Sequence, residues 1–341
     1  MKFLRGGVAA LVMSAALFFA IGYVLPDKAH VTRSIVVAAP QCQVFAVLDG
    51  FRLYGQWSPW AAKDPQMKTQ ISGAPFGVGA RYDWSGNAAV GSGSEVIVDS
   101  APYKLVKTKV QYSDRDQPSF STFTLEPQGA QTKVTWTVDI GLGPDPLAHY
   151  RGLMVDKQVG PDYEQGLQRL KALAESRPKD DFSALNVDLT EVKAQTYLYL
   201  PGHSSTDPAA VNKAQTEAFG KLGELMKDLG LKQTGAPLAV TKQWDPVAKV
   251  YEFDAGIPID RTDVSLPANS AAEFAQTYEG PALRVRYKGA YGDLPKTYAL
   301  LTEFMKAFEL RNNGLLWEQY LTDPTATPEA QRELEIFVPV K

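Results

Sequence analysis

The segments FGKLGELMKDLGLKQTG, residues 219–235, and YALLTEFMKAFELRNNG, residues 298–314, are two copies of one pattern at an offset of 79 residues. Glu224 matches Glu303, Met226 matches Met305, Lys227 matches Lys306, Leu231 matches Leu310 and Gly235 matches Gly314. The aromatic residues Phe219 and Tyr298 open the two windows. Self-similarity at a fixed offset marks one supersecondary unit used twice. Each copy predicts a helix that ends near a glycine, followed by two strands. The helices are expected over 209–229 and 294–311. The strands are expected over 236–243 and 248–257 in the first copy, and over 315–321 and 332–340 in the second. Strands near 188–199 and 278–288 precede the helices, so each unit reads strand-helix-strand-strand and the two share one sheet.

Upstream the period changes. Residues 31–39 read as a strand and 41–48 as a short helix, with Pro40 suited to its start. The loop Tyr54-Gly55-Gln56-Trp57-Ser58-Pro59-Trp60 follows. From 67 to 140 about six strands alternate with turn signals, and Val134, Trp136, Val138 and Ile140 share one face of the last strand. Tyr163, Leu167, Leu170 and Leu173 then lie on one face of a helix expected to start near Pro161. The fold class is α+β throughout. A curved antiparallel sheet around a long C-terminal helix occupies 29–176, a polar linker spans 177–186, and the duplicated domain fills 187–341.

Composition narrows the chemistry. The 341 residues carry 35 Lys+Arg and 38 Asp+Glu, a net charge of −3, which argues against a nucleic-acid partner. One cysteine, Cys42, leaves no intramolecular disulfide and no Cys-based zinc site. His30, His149 and His203 are not at metal-ligand spacing, so neither a metal nor a cofactor is expected. Dinucleotide and phosphate-binding glycine fingerprints are missing. Gly91-Ser92-Gly93-Ser94-Glu95 does not fit the nucleophile-elbow pattern.

Residues 1–28 read as a membrane anchor or signal segment. Lys2 and Arg5 precede an uncharged run from Gly6 to Leu25. As a helix it would span about 30 Å, the depth of a bilayer core. A cleaved leader, with Ala20-Ile21-Gly22 as the small-x-small site, is the rival. The continuation of the run favours a single-pass anchor through residues 6–25, with the soluble domains on the outer face of the cytoplasmic membrane.

Residues 31–175 resemble the START-like superfamily of polyketide cyclases and lipid-transfer proteins. The resemblance rests on RSIVVAAPQCQVFAVLDGF at 33–51, the Trp57-Ser58-Pro59-Trp60 loop, and Gly166-Leu167-Gln168-Arg169-Leu170-Lys171. It implies a helix-grip fold around an apolar cavity, with no universal catalytic set. Residues 187–341 resemble the GyrI-like, AraC-type effector-binding domain. Here the carriers are Trp317-Glu318-Gln319-Tyr320-Leu321-Thr322-Asp323-Pro324, Tyr287-Lys288-Gly289-Ala290-Tyr291, and Glu335-Ile336-Phe337-Val338-Pro339-Val340. This resemblance implies an amphipathic, often cationic or aromatic small-molecule ligand, with the motif glutamate in the pocket. Some members hydrolyse small reactive ligands. The regulators among them carry a DNA-binding helix-turn-helix, where this chain has a START-like domain.

Glu318 is the sharpest candidate site residue. Strand alternation places Leu316, Glu318 and Tyr320 on one face, and the repeat puts Ala239 at the position equivalent to Glu318. A carboxylate against apolar walls suits a cationic ligand, or a general acid or base. A solvated or salt-bridged surface glutamate is the plain alternative. Tyr320 shares the face of Glu318. Trp244, Tyr251 and Phe253 are candidates for an aromatic wall, as are Tyr287 and Tyr291, and core packing is the alternative for each. Trp57, Trp60, Trp84 and Trp136 are candidates for the wall of the first domain's cavity, with pinning of the loop onto the sheet the favoured reading for Trp57 and Trp60. The reading is a small-molecule-binding protein with an apolar-ligand domain and a second pocket for an amphipathic or cationic ligand. The alternative is a hydrolase with Glu318 as general base and Tyr320 as donor.

Overall fold

The computed structural model describes residues 2–341, with side chains described from Leu11 onward. The chain divides into two compact units, one running to Ser183 and the other from Ala184, with the stretch Ala307–Glu309 grouped with the first.

Helix α1 (Lys2–Val24) precedes the first unit's sheet. The strands are β1 (Lys28–Val37), β2 (Lys68–Gly73), β3 (Ala80–Ser85), β4 (Ser92–Ala101), β5 (Leu105–Tyr112), β6 (Ser119–Gln128) and β7 (Gln131–Gly141). They form one antiparallel sheet in the order β1-β7-β6-β5-β4-β3-β2. Short helices α2 (Gln41–Leu48), α3 (Tyr54–Trp57) and α4 (Pro59–Lys63) lie between β1 and β2. Helix α5 (Pro146–Ser176) follows the sheet and buries Tyr163, Leu167, Leu170 and Ala174. This is the helix-grip arrangement expected from the sequence.

Helix α5 starts 15 residues before the expected position near Pro161. Asp145 caps it, accepting from the Leu147 amide at 2.9 Å, and Pro146 occupies the first turn. Pro161 lies inside the helix, where its ring removes a backbone hydrogen bond. Arg33 braces that turn from β1. Its Nη1 donates to Asp156 at 2.8 Å and its Nε to Glu164 at 2.7 Å, and Gly160 leaves the guanidinium room.

The single-pass anchor is a correction. The side chains of residues 6–10 in that run lie outside the described ones, and among the described residues no helix is long and apolar enough to cross a membrane. The end of α1 is docked on α5. Phe18 stacks on Tyr150 with ring centroids 4.4 Å apart, Tyr150 donates to the Phe18 carbonyl, and His149 bonds the Gly22 carbonyl. Placement of the domains outside a cytoplasmic membrane rested on that anchor and falls with it.

The second unit contains β8 (Val187–Val192), β9 (Thr196–Ser204), α6 (Pro208–Leu229), β10 (Leu238–Asp245), β11 (Val250–Pro258), β12 (Glu273–Gln276), β13 (Gly280–Lys288), α7 (Leu294–Ala307), β14 (Trp317–Tyr320) and β15 (Glu333–Pro339). Its sheet order is β12-β9-β11-β10-β14-β15-β13-β8. The two copies are β9-α6-β10-β11 and β13-α7-β14-β15, and they meet where β10 pairs with β14. The strand expected over 188–199 is two strands on opposite sides of the sheet, because the chain breaks at 193–195 between β8 and β9.

The duplication is visible in equivalent backbone bonds. Leu231 N donates to Met226 O and Leu310 N to Met305 O, both at 2.9 Å. Thr241 N donates to Leu316 O, and Tyr320 N donates to Pro237 O. Leu222 and Leu301, also 79 apart, are both core residues. Ala239 and Glu318 are direct partners across β10 and β14, so the pseudo-twofold relating the copies passes between a methyl group and a carboxylate.

Candidate functional site

β14 leaves the duplicated core open on one face. Leu316, Glu318 and Tyr320 line a cavity of about 410 Å³, within the range of small-molecule sites. Trp317, on the opposite face, stacks on Phe337 with centroids 4.9 Å apart. The first turns of the two repeat helices complete the wall, with Pro208, Val211, Asn212 and Gln215 from α6 and Leu294, Pro295 and Tyr298 from α7. The cavity therefore sits where both copies present the start of a helix over the central strands, and only one copy supplies the carboxylate.

Both oxygens of Glu318 are engaged. The Tyr298 hydroxyl donates to Oε1 at 2.5 Å and the Tyr320 hydroxyl to Oε2 at 2.7 Å. Gln215 in turn donates through Nε2 to the Tyr320 hydroxyl at 3.0 Å. Burial pushes the Glu318 carboxyl above the ordinary carboxylate range, and the two phenolic hydrogen bonds pull it partly back. No cation among the described residues contributes. The Tyr298 and Tyr320 phenols are raised well above their usual value, first by burial and then by the nearby Glu318 charge. They therefore stay protonated and donate at neutral pH. Glu318 keeps intermediate exposure as a whole residue, because it faces an open cavity.

The expected aromatic wall is assembled in part. Trp244 and Tyr251 line the cavity with centroids 5.2 Å apart. Tyr291 lines it as well, tilted against Tyr320 at 5.9 Å, with the Arg332 guanidinium 5.4 Å from its ring centre. The Tyr291 hydroxyl is buried and has no hydrogen-bond partner among the described residues, an unusual state for a buried polar group. Phe253 does not reach the cavity. It is 1% exposed and stacks beneath Tyr251 at 4.8 Å, as a supporting core residue. Tyr287 also lies outside the lining; its hydroxyl donates to the Ala290 carbonyl at 2.5 Å and holds the turn before α7.

Tyr298 and Gln215 were missed as site residues. A signal for Tyr298 was available. At the 79-residue offset Phe219 becomes Tyr298 and Ala239 becomes Glu318, so hydroxyl and carboxylate appear together in the same copy. Gln215 has no such signal, since its equivalent is Leu294. In the first unit, Trp60 and Trp84 line a smaller cavity. Trp57 packs edge-on against Phe123 and Trp136 instead.

Residues 28–175 match the family model for polyketide cyclase / dehydrase and lipid transport, and residues 187–341 match that of the GyrI-like small molecule binding domain. A comparison with curated proteins finds no match. Among solved structures, the EcmrR C-terminal domain aligns over 46% of this chain and 98% of its own, at 15% identity and a TM-score of 0.39. A hydrolase from Listeria innocua aligns over 46% of this chain and 92% of its own, at 16% identity and 0.33. EcmrR in its DNA complex aligns over 57% of this chain and 72% of its own, at 17% identity and 0.42. The chain thus joins a polyketide cyclase / dehydrase and lipid transport domain to a GyrI-like small molecule binding domain.

Proposed function

We propose that the GyrI-like domain binds a cationic aromatic small molecule, with its charge at Glu318 and its rings against Trp244, Tyr251 and Tyr291. One observation carries this reading: Glu318, held by two phenols and by no cation among the described residues, faces a cavity of about 410 Å³. A buried carboxylate without a counter-ion is costly, and a ligand cation removes that cost. Aromatic faces add about 0.5–2 kcal/mol for each well-placed cation contact. The unpartnered Tyr291 hydroxyl offers a further hydrogen bond to the ligand.

The hydrolytic reading gains no support from the geometry. Both Glu318 oxygens accept phenolic hydrogen bonds, which stabilise the ionised form and work against its acting as a base. Calorimetric titration of the full chain with benzyltrimethylammonium, and with its uncharged isostere neopentylbenzene, tests the binding proposal. Glu318→Gln is expected to weaken the cation at least tenfold, about 1.4 kcal/mol, and to leave the neutral compound unchanged. Equal loss for both compounds, or no loss for either, removes Glu318 from the role.

A further inference from the structure

The first domain holds a second cavity, of about 120 Å³. At that size it encloses a small head group and not a lipid chain, and the rest of a ligand must lie toward the opening. Its wall also departs from the apolar one expected there. Glu95, 6% exposed, points inward from β4 in phase with the core residue Ile97. Thr108 donates to its Oε1 at 2.6 Å. No Lys, Arg or His pairs with it among the described residues. Tyr82 stands directly opposite on β3, and the rings of Tyr54, Trp60, Trp84, Tyr112 and Tyr163 complete an aromatic enclosure around the carboxyl. Gly93 makes room for Trp84, since a Cβ there would lie 2.8 Å from the indole.

A cation stands at the other end. Arg115 lines the same cavity from an exposed loop, with its guanidinium 4.6 Å from the Tyr112 ring centre. No carboxylate of the described residues lies within ion-pair distance of it. The cavity is therefore polarised, with a carboxyl inside that has hydrogen-bond donors in Thr108 and Tyr54 but no counter-ion among the described residues, and a guanidinium toward solvent.

We propose that this cavity binds a small zwitterion, its ammonium end inward against Glu95 and the aromatic faces, its carboxylate outward on Arg115. An ammonium group supplies the counter-charge that Glu95 lacks, and ring faces are the other surface that favours a desolvated ammonium. A planar guanidinium matches a carboxylate by two parallel hydrogen bonds. A simple cation would gain only the inner half of the site and would be repelled at the opening. An anion would meet Glu95.

The test is calorimetric titration of the full chain with glycine betaine and with tetramethylammonium. Every protein carries Glu318→Gln so that the second domain does not contribute through its carboxylate. Glycine betaine is expected to bind, and Glu95→Gln to weaken it at least tenfold. Arg115→Gln is expected to weaken it several-fold while strengthening the binding of tetramethylammonium. Arg115 is exposed, so this variant keeps the test valid where Glu95→Gln melts early. Three results overturn the proposal: no measurable binding of glycine betaine, equal affinity in the Arg115→Gln variant, or tighter binding of tetramethylammonium than of glycine betaine.

Discussion

Removing one oxygen atom tests how Glu318 is held. Tyr298→Phe restores the residue type that the first copy carries as Phe219, so the scaffold already accommodates the ring. It deletes the 2.5 Å hydrogen bond to Glu318 Oε1 and leaves the Tyr320 bond in place. A hydrogen bond to a charged group contributes about 1.5–3 kcal/mol. That stabilisation belongs to the ionised carboxylate, so losing it moves the Glu318 pKa further up, beyond the rise that burial already causes. A larger fraction is then protonated at a given pH, and affinity for benzyltrimethylammonium falls, by at most about a hundredfold at one factor of ten per ~1.4 kcal/mol. The loss must shrink as pH rises and the carboxylate ionises again. The assay is calorimetric titration at a series of pH values, paired with carbon NMR of the labelled glutamate carboxyl. Undiminished affinity in Tyr298→Phe refutes the reasoning. So does a loss that persists at high pH, which would place Tyr298 against the ligand rather than against Glu318.

Three further outcomes follow from burial and packing. Leu222→Ala opens a void under α6 at a fully buried site and should cost about 2–5 kcal/mol in denaturant unfolding. Gly93→Ala forces a Cβ against the Gln111 carbonyl and the Trp84 indole. It should destabilise by about 1–3 kcal/mol and displace Trp84, visible as a shift in tryptophan emission. Asp49 is buried and its pKa is pushed up to about 7, mainly by desolvation and against a Ser100 hydrogen bond. Its folded state therefore holds a proton that the unfolded chain has released, and stability falls as pH rises from about 4 through 7. The fall amounts to at most about 4 kcal/mol, near 1.4 kcal/mol per unit. Asp49→Asn should flatten that part of the melting-temperature profile, and an unchanged profile assigns the dependence to other groups.

The duplicated domain was legible because its two copies share sequence where helix ends must close. Met226 and Leu231 recur as Met305 and Leu310, and each pair forms the same backbone bond. Alternation on β14 was equally readable, since strand side chains have a strict period of two. What the sequence hid depends on tertiary neighbours. The break at 193–195 carries no strong turn signal, yet it sends β8 and β9 to opposite sides of the sheet. The early start of α5 was masked by Pro161, a residue that usually opens a helix, and by the remote brace from Arg33. Phe253 and Tyr251 lie two apart on one strand face, and only packing shows that one ring supports the other. Glu95 was passed over because a carboxylate in a strand is ordinarily solvated. Its phase with Ile97 was the available clue.

The central claim, that Glu318 receives a ligand cation within an aromatic wall, is tested most directly by locating a bound ligand. A crystal of the full chain soaked with 4-bromobenzyltrimethylammonium reports the ring through the anomalous signal of bromine. The account predicts the bromine against the aromatic wall of Trp244, Tyr251 and Tyr291 and the ammonium within contact of the Glu318 carboxylate. A ligand seated elsewhere on the molecule, or in the cavity with its ammonium turned away from Glu318, contradicts it.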